Sequence, residues 1–141
     1  MGAEPKSRLF AVLRAAASLE SHVEARLATI GLSLPKLAAL HHLALSGDSL
    51  PLGQLADRLS CVKSNVTQLV DRLEADGLVS REPDPNDRRS RLAVITPPGR
   101  KLYDQGVRIR QEAEQELFGV LTPDESRQLS ELIAKLDRVH V

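Results

Sequence analysis

Apolar positions recur along most of this chain at intervals of three and four, the period of an amphipathic helix rather than a strand. Leu9, Leu13, Ala16, Ala17, Val23 and Leu27 trace one stripe and predict a first helix over residues 6–28, interrupted by Glu20. The segment "IGLSLP" breaks the stripe. A second helix opens at Ser33 or Leu34, since Pro35 is tolerated in a first turn whose N–H groups lack intrahelical partners. It carries Leu37, Leu40 and Ala44 on one face and stops near "SGDS". A short third helix is predicted over 52–59, with Leu52, Leu55, Ala56 and Leu59 inward. The tight turn "SCVKS" leads to a fourth over 63–76. There Val66, Leu69, Val70 and Leu73 face inward, while Ser64, Thr67, Gln68, Asp71 and Arg72 face outward. Gly77 stands where a helix C-terminus favours a residue tolerant of left-handed backbone.

The period then changes. "LVSRE" and "RLAVIT" are short β-type runs, the second alternating Leu92 and Val94 against Ala93 and Ile95. The segment between them, "PDPNDRRS", is rich in turn formers and too polar for a core, and predicts a protruding loop. Two long helices close the chain. Thr96 caps the first, with Pro97 at its first position and Leu102, Gly106, Ile109, Ala113 and Leu117 at helical spacing. Thr122 and Glu125 form a capping box for the second, whose stripe is Leu129, Leu132, Ile133, Leu136 and Val139. The element order predicts a mainly α fold with a minor β part: a winged helix-turn-helix over 34–99. The flanking segments, 1–33 and 100–141, have apolar stripes that must be buried somewhere. A two-fold homodimer buries them, so these segments are expected to form a helical dimerisation region.

Composition narrows the picture. Aromatics are 2% of the 141 residues and Trp is absent, so the core rests on Leu, Val, Ile and Ala. No apolar run approaches the ~20 residues of a membrane span, and "MGAEPKSRLF" lacks the apolar stretch of a signal peptide. One Cys excludes an intrachain disulfide and suits a reducing, cytoplasmic setting. Formal net charge is +0, yet residues 54–101 hold nine Lys/Arg against seven Asp/Glu, and Arg88, Arg89 and Arg91 fall within four positions. Any basic surface is therefore local.

Helix, turn, outward-polar helix and cationic hairpin together suit double-stranded DNA. A major groove admits one helix whose exposed side chains reach base edges. The fourth helix offers Lys63, Ser64, Asn65, Thr67, Gln68 and Arg72 for this. The hairpin beside it would lie over a minor groove, whose negative potential attracts arginine. Arg89 is the residue expected to insert, with Arg88 and Arg91 on flanking phosphates. Asp87 is expected to brace the loop through backbone or an arginine, and Asp71 to pair with Arg89.

The stretch from Leu55 to Gly99 resembles the MarR family of bacterial transcriptional regulators. The resemblance rests on Leu55-Ala56-Leu59, Ser64-Thr67-Leu73-Glu74, Gly77-Leu78-Arg81, Asp87-Arg89 and Ile95-Thr96-Gly99, taken in order. It implies a homodimer on pseudo-palindromic operator DNA, often released by a small aromatic ligand or by thiol oxidation. A repressor that occludes its operator is the expected action. A winged-helix protein-interaction module without DNA binding, or a metal- or redox-sensing regulator, are the alternatives.

Other candidates carry two readings each. Cys61, near a helix N-terminus and Lys63, has the setting of a lowered thiol pKa, or simply fills a turn. His41 lines an effector cleft or is a hydrogen-bonded core histidine; Arg14 neutralises an anionic effector or makes a dimer salt bridge. His41 and His42 point about 100° apart on a helix, so they do not chelate one metal together, and no metal or other cofactor is expected. No phosphate-cradling glycine loop, H-E-x-x-H or zinc-type Cys spacing supports an enzyme.

Overall fold

Side-chain caps set the starts of five helices. The computed structural model describes residues 7–59 and 65–138. Ser7 Oγ accepts from Phe10 N at the head of α1 (Arg8–Ala28), and Ser33 Oγ from Lys36 N at the head of α2 (Leu34–Leu45). Asn65 Oδ1 accepts from Gln68 N to open α4 (Val66–Ala75), following the short α3 (Leu52–Arg58). Thr96 Oγ1 accepts from Gly99 N ahead of α5 (Pro97–Phe118). At α6 (Pro123–Arg138), Thr122 Oγ1 accepts from Glu125 N at 3.2 Å while Glu125 Oε1 accepts from Thr122 N at 2.9 Å. That reciprocal pair satisfies two N–H groups that no helix turn reaches.

Three strands form one antiparallel sheet in the order β1-β3-β2: β1 (Ser49–Pro51), β2 (Val79–Asp84) and β3 (Asp87–Ile95). The expected hairpin is present, but its loop is shorter than the sequence suggests. Pairing runs from Val79↔Ile95 out to Asp84↔Asp87, leaving Pro85 and Asn86 as the turn. The arginines therefore lie on a strand rather than a loop. β1 is an addition: its three residues pair Leu50 with Ala93, directly after Asp48, whose φ is 76°.

The core is almost wholly aliphatic. Leu27 of α1, Leu37, Leu40 and Leu43 of α2, Leu55 of α3, and Leu69, Val70 and Leu73 of α4 pack on Val79, Ala93 and Ile95 of the sheet. Each of these Leu, Val and Ile side chains contributes about 1.5–3 kcal/mol when withdrawn from water. α5 reaches this core through Gly106, where an added Cβ would stand 2.7 Å from Leu37 Cδ1. Burial stops there. Leu27 is the one buried residue of α1, and α6 has none, although Leu132, Ile133 and Leu136 line one of its faces.

Candidate nucleic-acid interface

α4 splits cleanly between core and solvent. Leu69, Val70 and Leu73 are buried, whereas Thr67, Gln68, Asp71 and Arg72 are exposed on the opposite side. Asn65 has a structural duty as the N-cap of α4, in addition to its place in the expected contact set. Lys63 and Ser64 lie outside the described residues, as does Cys61.

The wing rises beside this helix. Asp84 Oδ1 accepts from Asn86 N and Asp87 Oδ1 from Arg89 N, each at 2.9 Å, so both ends of the turn are tied by a carboxylate to the backbone two residues on. Arg88, Arg89 and Arg91 are exposed. Among the described residues none of the three, nor Arg72, makes an ion pair. These four guanidinium groups are therefore exposed with no carboxylate partner among the described residues.

Asp71 does not pair with Arg89. Its Oδ1 accepts from Arg81 at 2.6 Å instead. The reason is positional: α4 packs on β2, which carries Arg81 near the wing's base, while Arg89 lies on β3 near the tip. The Asp71 hydrogen bond is the largest of the effects that hold the Arg81 guanidinium pKa above its ordinary value.

A cleft of about 240 Å³ separates the foot of α4 from the start of α2, lined by Ser33, Lys36, Gln68 and Arg72 among others. Lys36, which pairs with Asp76 at 3.0 Å, was not among the expected contacts. Its signal in the sequence is its place three residues after the Ser33 cap, in the first turn of α2, the helix that precedes the helix-turn-helix pair.

A second cavity, about 290 Å³, lies between α2 and α5 and is lined by Leu34, Leu37, Ala38, His41, Val107 and Arg110. His41 is exposed there, with Nδ1 3.0 Å from the Tyr103 hydroxyl, which corrects the reading of a core histidine. Arg14 does not line this cavity. It sits on an exposed part of α1, thirteen residues before Leu27 or roughly 20 Å along the axis at 1.5 Å per residue. The cation at the cavity is Arg110, on α5. Among the described residues, no group of three or more His, Cys, Asp or Glu is placed to hold a metal ion.

The model of the MarR family matches residues 30–90. The HTH-type transcriptional regulator MhqR of Bacillus subtilis (strain 168) is 31% identical over 134 residues, 94% of this chain and 92% of that protein. The HTH-type transcriptional regulator YkoM of the same organism is 39% identical over 84 residues, 60% of this chain but 54% of that protein. Among solved structures, Sco3205 of Streptomyces coelicolor in complex with DNA superposes with a TM-score of 0.83 at 26% identity, covering 96% of this chain and 91% of that one.

Proposed function

This chain belongs to the MarR family, and from that premise we propose that it acts as a homodimeric, sequence-specific DNA-binding regulator of transcription, working as a repressor by covering its operator. One observation carries the reading: the exposed polar face of α4 and the arginines of β3, unpaired among the described residues, belong to one packed unit, since α4 packs on β2, β2 pairs with β3, and all three close on one core. In the major groove, Thr67, Gln68 and Arg72 would reach base edges or phosphates, and Arg89 would enter the neighbouring minor groove between phosphate contacts from Arg88 and Arg91.

Residues 34–99 form the DNA-binding lobe in this reading. Segments 1–33 and 100–141 form the dimerisation region. Leu9, Phe10, Val12 and Leu13 of α1 and Leu132, Ile133 and Leu136 of α6 are large apolar side chains left in solvent by a single chain, and a second copy covers them. Two-fold symmetry sets the recognition helices about one DNA turn, ~34 Å, apart.

The α2–α5 cavity suits a small aromatic or anionic effector. Leu34, Leu37 and Val107 supply apolar walls, while His41 and Arg110 supply polar heads. Bound there, a ligand would act by favouring whichever disposition of α2 against α5 it fits better, and only to the extent of its differential affinity. No helix among the described residues is long and apolar enough to cross a membrane. A cytoplasmic regulator without catalytic activity is the accompanying proposal.

Selection of bound duplexes from a randomised pool tests this function. A two-fold symmetric consensus with half-sites about one turn apart is the expected result. Binding that never distinguishes selected from scrambled duplexes would overturn it.

A further inference from the structure

Arg81 joins the wing to the recognition helix by four hydrogen bonds, the longest of them from its guanidinium to the Thr67 backbone carbonyl at 3.5 Å. β2 is an edge strand, and an edge leaves backbone N–H groups without ladder partners. The Arg81 N–H is such a group, and it donates to Glu74 Oε2 of α4 at 3.2 Å. The Arg81 guanidinium donates to Glu74 Oε1 at 3.2 Å and to Asp71 Oδ1 at 2.6 Å. Its side chain is 20% exposed, whereas those of Asp71 and Glu74 are 57% and 44% exposed. The cation thus lies beneath the two carboxylates rather than out in front of them.

The placement has an electrostatic consequence. Asp71 follows Gln68 by three residues and Thr67 by four, so its carboxylate shares the exposed face offered to DNA. Screening by salt extends over about 10 Å at 0.1 M, so an unpaired carboxylate on this face would repel nearby phosphates. With Arg81 in place the trio carries one net negative charge rather than two.

We propose that Arg81 is a positioning residue of the DNA interface: it fixes the wing against the recognition helix and masks that helix's carboxylates, without itself touching DNA. A planar guanidinium fork serves two carboxylates at once, which a lysine ammonium on a flexible stem does not.

This inference rests on the DNA-binding reading, and the test separates the two. The probes are duplexes selected by the wild-type protein from a randomised pool, and a scrambled duplex of the same length. A wild-type protein that prefers neither removes the reading and the inference with it. Where the preference exists, Arg81→Gln is expected to bind the selected duplex about tenfold more weakly, as for loss of one well-placed interaction. The slope of log affinity against log salt is expected to stay as in wild type. The triple variant Arg81→Gln/Asp71→Asn/Glu74→Gln, which removes the exposed carboxylates, is expected to regain most of the lost affinity. Arg81→Lys, the milder probe if Arg81→Gln folds poorly, is expected to lose preference for the selected duplex at unchanged slope. A slope lower by about 0.9 would mark Arg81 as a phosphate contact. That result, or a triple variant no tighter than Arg81→Gln, or variants that bind as wild type does, would overturn the inference.

Discussion

Asp87 Oδ1 accepts the backbone N–H of Arg89 at 2.9 Å, which fixes the chain at the outer end of β3 where the arginines begin. The Arg89 side chain is consequently carried by an ordered strand and is free of any ion pair among the described residues. Arg89→Ala is expected to weaken operator binding by roughly 1–3 kcal/mol, with a shallower salt dependence if phosphate is its partner. Titration of the selected duplex at several salt concentrations measures both; unchanged affinity at matched salt removes Arg89 from the wing contact.

Gln68 sits one position beyond Thr67 on the exposed face of α4 and also lines the cleft with Lys36. Its side chain is not used for capping; only its backbone N–H is, by Asn65. Gln68→Ala is therefore expected to relax base preference more than it lowers affinity for scrambled DNA, with a loss of about 1–3 kcal/mol in discrimination. Equal weakening on every duplex would make Gln68 a phosphate contact instead.

Leu132 is 57% exposed on a helix with no buried residue. A charge there costs a single chain almost nothing but would be stranded in a dimer interface, where an unpaired ion is costly. Leu132→Asp is expected to shift sedimentation toward monomer while leaving the far-UV helical signal in place at low temperature. A variant that stays dimeric at micromolar concentration would move the interface away from α6.

Local devices were legible in the sequence because they are written within four residues. The Thr122–Glu125 box, the Ser33 and Thr96 caps, and Gly77, which adopts φ 76°, all depend on short-range spacing. The faces of α4 were legible for the same reason: a helical stripe sorts core from solvent without knowledge of the rest of the chain. β1 was not, since "SLP" is three residues long and exists only because β3 offers an edge to it. The strand character of Arg88 and Arg89 was hidden because exposed side chains carry no alternation. Long-range partners were the least legible. Asp71 meets Arg81 rather than Arg89, and the cavity cation is Arg110 rather than Arg14, because both depend on which helix lies against which element.

Gly99 stands at the first turn of α5, where an added Cβ would run into the backbone carbonyl oxygen of Leu78 and meet Ile95 Cγ1 at 3.0 Å. Thr96 reinforces this junction, donating from Oγ1 to Gly77 O at 2.7 Å and accepting from Gly99 N at 3.1 Å. A backbone atom cannot rotate away as a side chain can, so Gly99→Ala is expected to destabilise the fold by roughly 1–3 kcal/mol. Gly53→Ala is the contrasting case: it is helical, and outside its own helix backbone and chain neighbours no atom among the described residues lies within 4 Å of the added carbon. That change is expected to be neutral or to stabilise by up to about 1 kcal/mol. Denaturant unfolding of the two variants checks the pair, and a Gly99→Ala as stable as wild type would refute the close approach.

Glu116 of α5 meets two side chains of α1, with Oε2 at 2.5 Å from Arg26 and 3.2 Å from His22. The Arg26 hydrogen bond, and after it that of His22, hold the Glu116 carboxyl below its ordinary value of 4.5. A carboxyl whose folded pKa is depressed binds fewer protons folded than unfolded, so its contribution is complete above the unfolded pKa and is lost as pH falls through the folded one. The groups are solvent-exposed, which keeps the effect modest. Glu116→Gln is expected to lower the melting temperature slightly near neutral pH, with the difference shrinking below about pH 4.5 and vanishing in stronger acid. Thermal unfolding of both proteins across that range supplies the comparison. A difference that persisted unchanged into acid would show that Glu116 holds α1 to α5 by packing rather than by charge.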